Sequence, residues 1–482
     1  MHREPIKWHL DRRLILLCIA VFFCTLAFRL GHVDVLWVDE AYPLAAATRM
    51  LHGEVLYRDL WFDKPPLYAW VYLLWGAESG WLLRVAGSLF AALCALLAGL
   101  TARRLFGATE AVGAALLLAF FLTFDHPPST IPLAPDLLTV PLALAAVWAA
   151  ASGRSLLAGI LAGAALHANA KAFYLLPVVI LWRPREWRRA LAGYAAAVAA
   201  GLAALTAQGA LRDYLQQVWS WGILYSRDSP LANPLAEGIR RTGNWAGFPA
   251  ALVTGAAAYW WRNRDATAAR LAVWALLALG SIAVGWRFFP RYYFALLPVM
   301  TLAACRGLVL LPARVRALLL VLLLSVPAVR FGARHLTLAY ETMAGRTHHW
   351  QDLAMLEDCR AAADLLRSLA RPGDSLFVWG YRPELNVLAG MRGANRFLDS
   401  QPLTGVLADR HLVTSRASAP RIAQANRREL ALSAPDFIVD GLGPYNPSLA
   451  ITGFPDLRDW LAGYELAGST GGTRIYRRRA AP

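Results

Sequence analysis

Leucine, alanine and aromatic residues recur in long runs from residue 14 to residue 330, and each run predicts a helix that crosses a membrane. The candidate spans are 14–30, 82–100, 109–123, 137–151, 155–168, 172–182, 190–208, 246–261, 268–285, 292–306 and 313–330. Several are shorter than the roughly 20 residues that cross a bilayer upright, so 155–182 reads as a helical hairpin with a shallow apex. Residues 31–81 are too polar to span. Within them, Leu44, Ala47, Met50 and Leu51 have helical spacing, and 66–75 has the Tyr68/Trp70/Tyr72/Trp75 richness of a helix at headgroup level. Two interfacial helices are expected there, the second started by Pro65-Pro66 so that Lys64 projects beside its first turn.

Past residue 331 the pattern turns mixed and polar. Residues 352–370 read as an amphipathic helix stopped by Arg371-Pro-Gly373, and Ser375-Leu-Phe-Val-Trp-Gly380, Asp436-Phe-Ile-Val-Asp440 and Thr473-Arg-Ile-Tyr476 read as strands. The expected organisation is mainly α: a polytopic membrane domain of about eleven helices over 1–330, then a small α/β domain over 331–482. No motif in that second domain carries chemistry by itself.

Composition supports the membrane reading, with 57% hydrophobic residues and a mean hydropathy of +0.41. The net charge of +16 is carried by 48 basic residues, of which only Lys7, Lys64 and Lys171 are lysines. Arginines cluster on alternate loops, at 12–13, 103–104, 154, 183–189, 262–270 and 306–316, which puts those loops and the amino terminus in the cytoplasm. Topology and anionic lipid explain the basic balance, so it is no sign of nucleic acid. Loops 31–81, 124–136, 209–245 and 286–291, and everything after 330, then face outward. Cys18, Cys24, Cys94 and Cys305 lie in apolar spans and Cys359 stands alone beyond them, which excludes a disulfide within the outer domain. The first span has no small-residue cleavage site and reads as a retained anchor.

Charged residues beside a membrane are costly unless used. Trp37-Val-Asp39-Glu40-Ala-Tyr42 and Trp61-Phe-Asp63-Lys64-Pro65-Pro66 bring three carboxylates and a rare lysine to the outer face. Asp39 and Glu40 also suit a plain helix start, since acidic groups favour the positive end of the dipole. Lys64 and Lys171 equally suit snorkelling to lipid phosphate. Pro135-Asp136, Lys171 in His167-Ala-Asn169-Ala-Lys171, and Arg287 and Arg291 in Arg287-Phe-Phe-Pro290-Arg291-Tyr292-Tyr293 fall on the same face. Asp125-His126 sits there too, without the regular spacing of a metal site. Carboxylates that accept a proton, beside cations that hold a phosphate, fit transfer from a lipid-phosphate donor. Direct attack with one base inverts the anomeric centre.

In this order the motifs resemble the GT-C membrane glycosyltransferases, in the bacterial branch related to protein O-mannosyltransferases and the lipid A aminoarabinose transferase. The resemblance rests on Asp39-Glu40, Phe62-Asp63-Lys64-Pro65-Pro66-Leu67, Pro135-Asp136, Lys171, Arg287 to Tyr293 with Leu297-Pro298, and Val378-Trp379-Gly380-Tyr381-Arg382-Pro383-Glu384. It implies a polyprenyl-phosphate-sugar donor and a lipid, glycan or protein acceptor at the outer face of a bacterial cytoplasmic membrane. It also implies catalytic roles for Asp39 and Glu40, and substrate binding by Tyr42, Asp63, Lys64, Asp136, Lys171, Arg287 and Arg291. Relatives carry a histidine in a later outer loop that can ligate a divalent metal. No equivalent is identified here, and the metal stays open. A lipid-linked glycan ligase or polymerase is the nearest alternative. A secondary transporter would need charges near the bilayer midplane and two similar halves, and a non-catalytic assembly or lipid-binding protein would leave the carboxylates only capping helices.

Overall fold

The computed structural model describes residues 12–229, 231–346 and 350–480; the amino-terminal segment that holds Lys7 lies outside them. Each expected span coincides with helix, because a segment in hydrocarbon has to satisfy its backbone polar groups internally. Among the described residues five helices are long and apolar enough to cross a membrane: Arg12–Leu30, Trp81–Leu105, Pro184–Ala207, Ala266–Ala283 and Ala313–Met343. Shorter apolar helices are Ala108–Phe121, Pro135–Ala151, Ser155–Ala168, Ala170–Trp182 and Leu297–Val309. The 155–182 hairpin turns at Asn169, whose side chain accepts from the Lys171 backbone N–H at 2.9 Å. Its first arm packs on Trp187–Ala207 at glycine contacts; a Cβ on Gly159 would lie 1.9 Å from the Ala190 carbonyl, so only glycine fits.

Two elements differ from expectation. The span placed at 246–261 begins at Ala250, because Gly247-Phe-Pro249 ends a separate amphipathic helix, Pro234–Gly247. The last span does not stop at 330. Ala313–Met343 continues well beyond it, with Val321, Val329 and Leu336 on an exposed face that suits lipid.

Both interfacial helices form, as Val38–Leu51 and as Leu67–Trp70 continued by a 3-10 turn, Val71–Trp75. Pro43 lies inside the first helix and has no N–H, so the Asp39 carbonyl loses its i+4 donor. The Tyr68 hydroxyl from the second helix donates to that carbonyl instead, which locks the two helices together.

The carboxy-terminal part carries one five-stranded sheet in the order β2-β1-β3-β5-β4, with β1 Ser375–Trp379, β2 Arg392–Gly393, β3 Phe437–Asp440, β4 Tyr464–Ser469 and β5 Arg474–Arg478. β1 runs parallel to β2 and β3, whereas β5 is antiparallel to β3 and β4. Helix Ala354–Leu369 covers one face through Cys359, Ala362, Ala363 and Leu366. This part is stitched to the first outer loop. The Trp61 N–H donates to the Arg396 carbonyl at 2.7 Å, and the Arg396 guanidinium reaches the Tyr57 carbonyl at 2.7 Å.

Candidate active site

Two buried arginines at the outer ends of spans set the loops on which the site is built. Arg29 donates to the carbonyls of Ile131 and Thr130, both at 2.8 Å, and so fixes the turn before Pro135-Asp136. Arg84 holds the carbonyls of His32 and Val35 at 3.1 and 2.6 Å and both oxygens of Glu40 at 2.6 and 3.0 Å. Glu40 is 0% exposed. Both of its oxygens are held by one guanidinium, which anchors the Val38–Leu51 helix, and the geometry favours that anchoring over the expected catalytic role. That helix starts at Val38, and Asp39 and Glu40 lie in its first turn without capping it through a side chain.

Asp39, its neighbour, points the other way. Its side chain is 23% exposed and pairs with the Arg291 guanidinium. Arg291 also faces Asp136, 3.7 Å away, and Asp136 accepts from the Asn169 side chain at 2.9 Å. Lys171 completes the group. Its ammonium is buried and makes no hydrogen bond, and it lies 3.2 Å from the centre of the Tyr292 ring. A pocket is lined by Asp136, Asn169, Lys171 and Tyr292 together with Thr139 and Tyr174. Cation–π contact is a modest substitute for the hydration a lysine gives up, so this ammonium is ready to take an anion.

Asp63 and Lys64 form the second half, paired at 2.7 Å. Asp63 also accepts from the Gln401 side chain at 3.1 Å, while its second oxygen is buried without a hydrogen bond. Tyr42 is fully buried: it stacks on Phe62 with 4.8 Å between ring centres, and its hydroxyl accepts from the Asp63 N–H at 3.3 Å. The ring and hydroxyl hold the Trp61–Asp63 segment in place, which the geometry favours over the expected contact with substrate.

Arg287, expected to bind substrate, is occupied differently. Its guanidinium binds Asp409 at 2.9 Å and the carbonyls of Tyr225, Asp228 and Gly285 at 2.8, 2.9 and 3.3 Å, so its donors are engaged within the protein. The Asp125 carboxylate accepts from the His126 N–H at 2.7 Å and the His126 ring lies 3.3 Å from the Ser129 hydroxyl, which leaves the pair outside the site. Among the described residues no group of three or more His, Cys, Asp or Glu side chains is arranged to hold a metal ion.

The carboxy-terminal part supplies further groups, of which only Glu384 falls within a motif. Besides Gln401, Asp399 and Glu384 are buried and each keeps one oxygen without a hydrogen bond. Burial, reinforced by the Asp63 charge, pushes the Asp399 carboxyl up to about 7. Burial raises Glu384 to about 7 as well, with Asp39 adding to it against the pull of Arg382. The Tyr381 ring lies 5.9 Å from that of Tyr42. Single residues in loops give no periodic signal, and only the quoted Tyr381-Arg-Pro-Glu384 run lay within a motif.

No protein-family model matches the chain, and no curated protein matches it at a significant level. Solved structures do. ArnT from Cupriavidus metallidurans bound to undecaprenyl phosphate superposes with a TM-score of 0.63 at 14% identity, over 97% of this chain and 98% of that one. The apo state of the same protein gives 0.60 at 15% identity, over 96% and 97%. The apo oligosaccharyltransferase of Archaeoglobus fulgidus gives 0.50 at 12% identity, over 98% of this chain and 75% of that one. The architecture expected from the order of the motifs is thus the one observed: the chain is a polytopic, mainly helical membrane protein with the GT-C fold.

Proposed function

We propose that the chain is an inverting glycosyltransferase that moves a sugar from a polyprenyl-phosphate donor to an acceptor hydroxyl on a cell-envelope lipid, glycan or protein. The single observation that carries this reading is the grouping of Asp39, Arg291, Asp136 and the hydrogen-bond-free Lys171 ammonium on one face of the membrane part. The neighbour that superposes best among those described holds undecaprenyl phosphate, a lipid of the donor's leaving-group class. The arginine pattern of the loops puts this face outside the cytoplasmic membrane, with the outer domain over it.

In the step proposed, the donor phosphate takes Lys171 and draws Arg291 from Asp39. The freed Asp39 carboxylate accepts the acceptor O–H proton as that oxygen forms its bond to the anomeric carbon. The bond from that carbon to the phosphate oxygen breaks from the opposite side, its electron pair leaving with the lipid phosphate. Lys171 and Arg291 hold the charge that develops there. Asp63 and Lys64, with Gln401 from above, orient the sugar and the rest of the phosphate.

The test is the purified chain with a panel of polyprenyl-phosphate and polyprenyl-pyrophosphate sugars, read as loss of lipid-linked sugar. Turnover in wild type that disappears in Asp39→Asn supports the reading. Turnover that survives in Asp39→Asn removes Asp39 as the base. Turnover of pyrophosphate donors alone selects the glycan ligase, and no turnover of any donor favours a transporter or assembly role.

A further inference from the structure

A second cavity, of about 540 Å3, lies between helix Trp221–Arg227 and the outer-domain segment 408–418. Arg227, Arg410 and Arg416 line it, against one carboxylate, Asp228, so the lining carries a net charge of three minus one, or +2. Ile223, Leu224 and Ala417 form an apolar wall. Arg410 is fixed by Asp228 at 2.7 Å, yet its Nε is buried with no hydrogen bond. Arg227 and Arg416 are exposed at the mouth. The volume is that of a small-molecule site.

The backbone behind this cavity is held in unusual conformations. Leu215–Ser220, which leads into the Trp221–Arg227 wall, is a π-helix, a rare form frequent at functional sites. Gln217 within it is buried and clamps the first outer loop, accepting from the Phe62 N–H and donating to the Tyr57 carbonyl, both at 2.8 Å. Arg287, pinned to Asp409 and to the Tyr225 and Asp228 carbonyls, ties the two walls together, and the residues on either side of it, Trp286 and Phe288, have φ of 51° and 48°. Such left-handed residues are strained and persist where the surroundings over-determine them, often at ligand clamps. The Tyr225 ring lies 3.6 Å from the Arg287 guanidinium.

We propose that the cavity is a second substrate site that takes a phosphate-class oxyanion on an amphiphilic acceptor, apart from the cations that serve the lipid donor. Guanidinium groups match the oxyanion, and the apolar wall covers the alkyl part next to it. The word acceptor rests on the transferase reading above; the anion site does not.

Native mass spectrometry of the detergent-solubilised full chain tests it, with lysophosphatidic acid as the anionic probe, monoacylglycerol as its neutral counterpart and undecaprenyl phosphate as the donor-site lipid. Lysophosphatidic acid adducts should exceed monoacylglycerol adducts, fall on addition of inorganic phosphate, and weaken about tenfold in R227Q/R416Q, as expected for lost charge-assisted contacts. Undecaprenyl phosphate adducts should be unchanged in that variant. Equal binding of the two single-chain lipids, equal binding by wild type and variant, or joint loss of both phosphate lipids in the variant overturns the proposal. If the arginine-dependent binding holds but no lipid-linked sugar is ever turned over, the acceptor assignment falls with the transferase reading and the oxyanion site stands.

Discussion

Asp39 and Glu40 are neighbours on one helix turn, each faces an arginine, and the two pairs have opposite characters. Glu40–Arg84 is sealed, with side chains 0% and 1% exposed, and is braced by two further carbonyls. Asp39–Arg291 is open, and its arginine is shared with a second carboxylate. A sealed pair fixes geometry, because neither partner can leave without stranding the other's charge. An open, shared pair is exchangeable, and an incoming anion can replace one of its members. Structural and chemical use of the same two residue types thus differ in burial and in the number of competing partners.

The comparison breaks most sharply at Arg84. Arg84→Met leaves the Glu40 carboxylate uncompensated and should cost about 3–5 kcal/mol of stability; thermal unfolding in detergent measures it, and Glu40→Leu added to the same chain should recover most of the loss. At the open pair the effect moves from stability to chemistry. Asp39→Asn should lower transfer about 10²–10⁴-fold, the usual contribution of a general base, with the unfolding temperature kept. Comparable loss of transfer in a folded Glu40→Gln chain would overturn the division of labour between the two acids.

Lys171→Met should weaken binding of the polyprenyl-phosphate-sugar donor by about 10- to 100-fold, the scale of a lost charge-assisted hydrogen bond, read as a rise in donor KM. A further effect is expected at Asp399 and is read as a pH dependence. Its carboxyl holds a proton up to about 7 in the folded chain, against about 4 when unfolded. Between those values the folded state binds more protons, so stability falls as pH rises through that window. Asp399→Asn should flatten this slope in unfolding measured from pH 4 to 7, and an unchanged slope would assign the dependence to another group.

The membrane helices were legible because hydrocarbon demands unbroken apolar runs, and β1 and β3 because strands buried on both faces read as continuous Leu, Phe, Ile and Val. Two-residue β2 and the largely exposed β4 carry no such signal. Charges that a membrane surface makes costly drew the eye to Asp39, Asp63, Lys64, Asp136, Lys171 and Arg291. The same criterion could not separate Asp39 from Glu40 or Arg291 from Arg287. That distinction depends on which way each residue turns once its helix or 3-10 turn has started, and on partners such as Arg84 and Asp409, far away in the chain. Gln401 and Asp399 were illegible for a related reason: they reach the site only because the Trp61 backbone pairs with the outer domain at Arg396.

The helix Ala313–Met343 has 31 residues, which at 1.5 Å per residue makes about 46 Å, against a hydrocarbon core of about 30 Å. Its length exceeds that thickness by about 16 Å, and the residues buried against protein along it, Pro327, Phe331, Gly332, His335 and Leu338, all lie past Val326, so the surplus turns end in protein contact on one side.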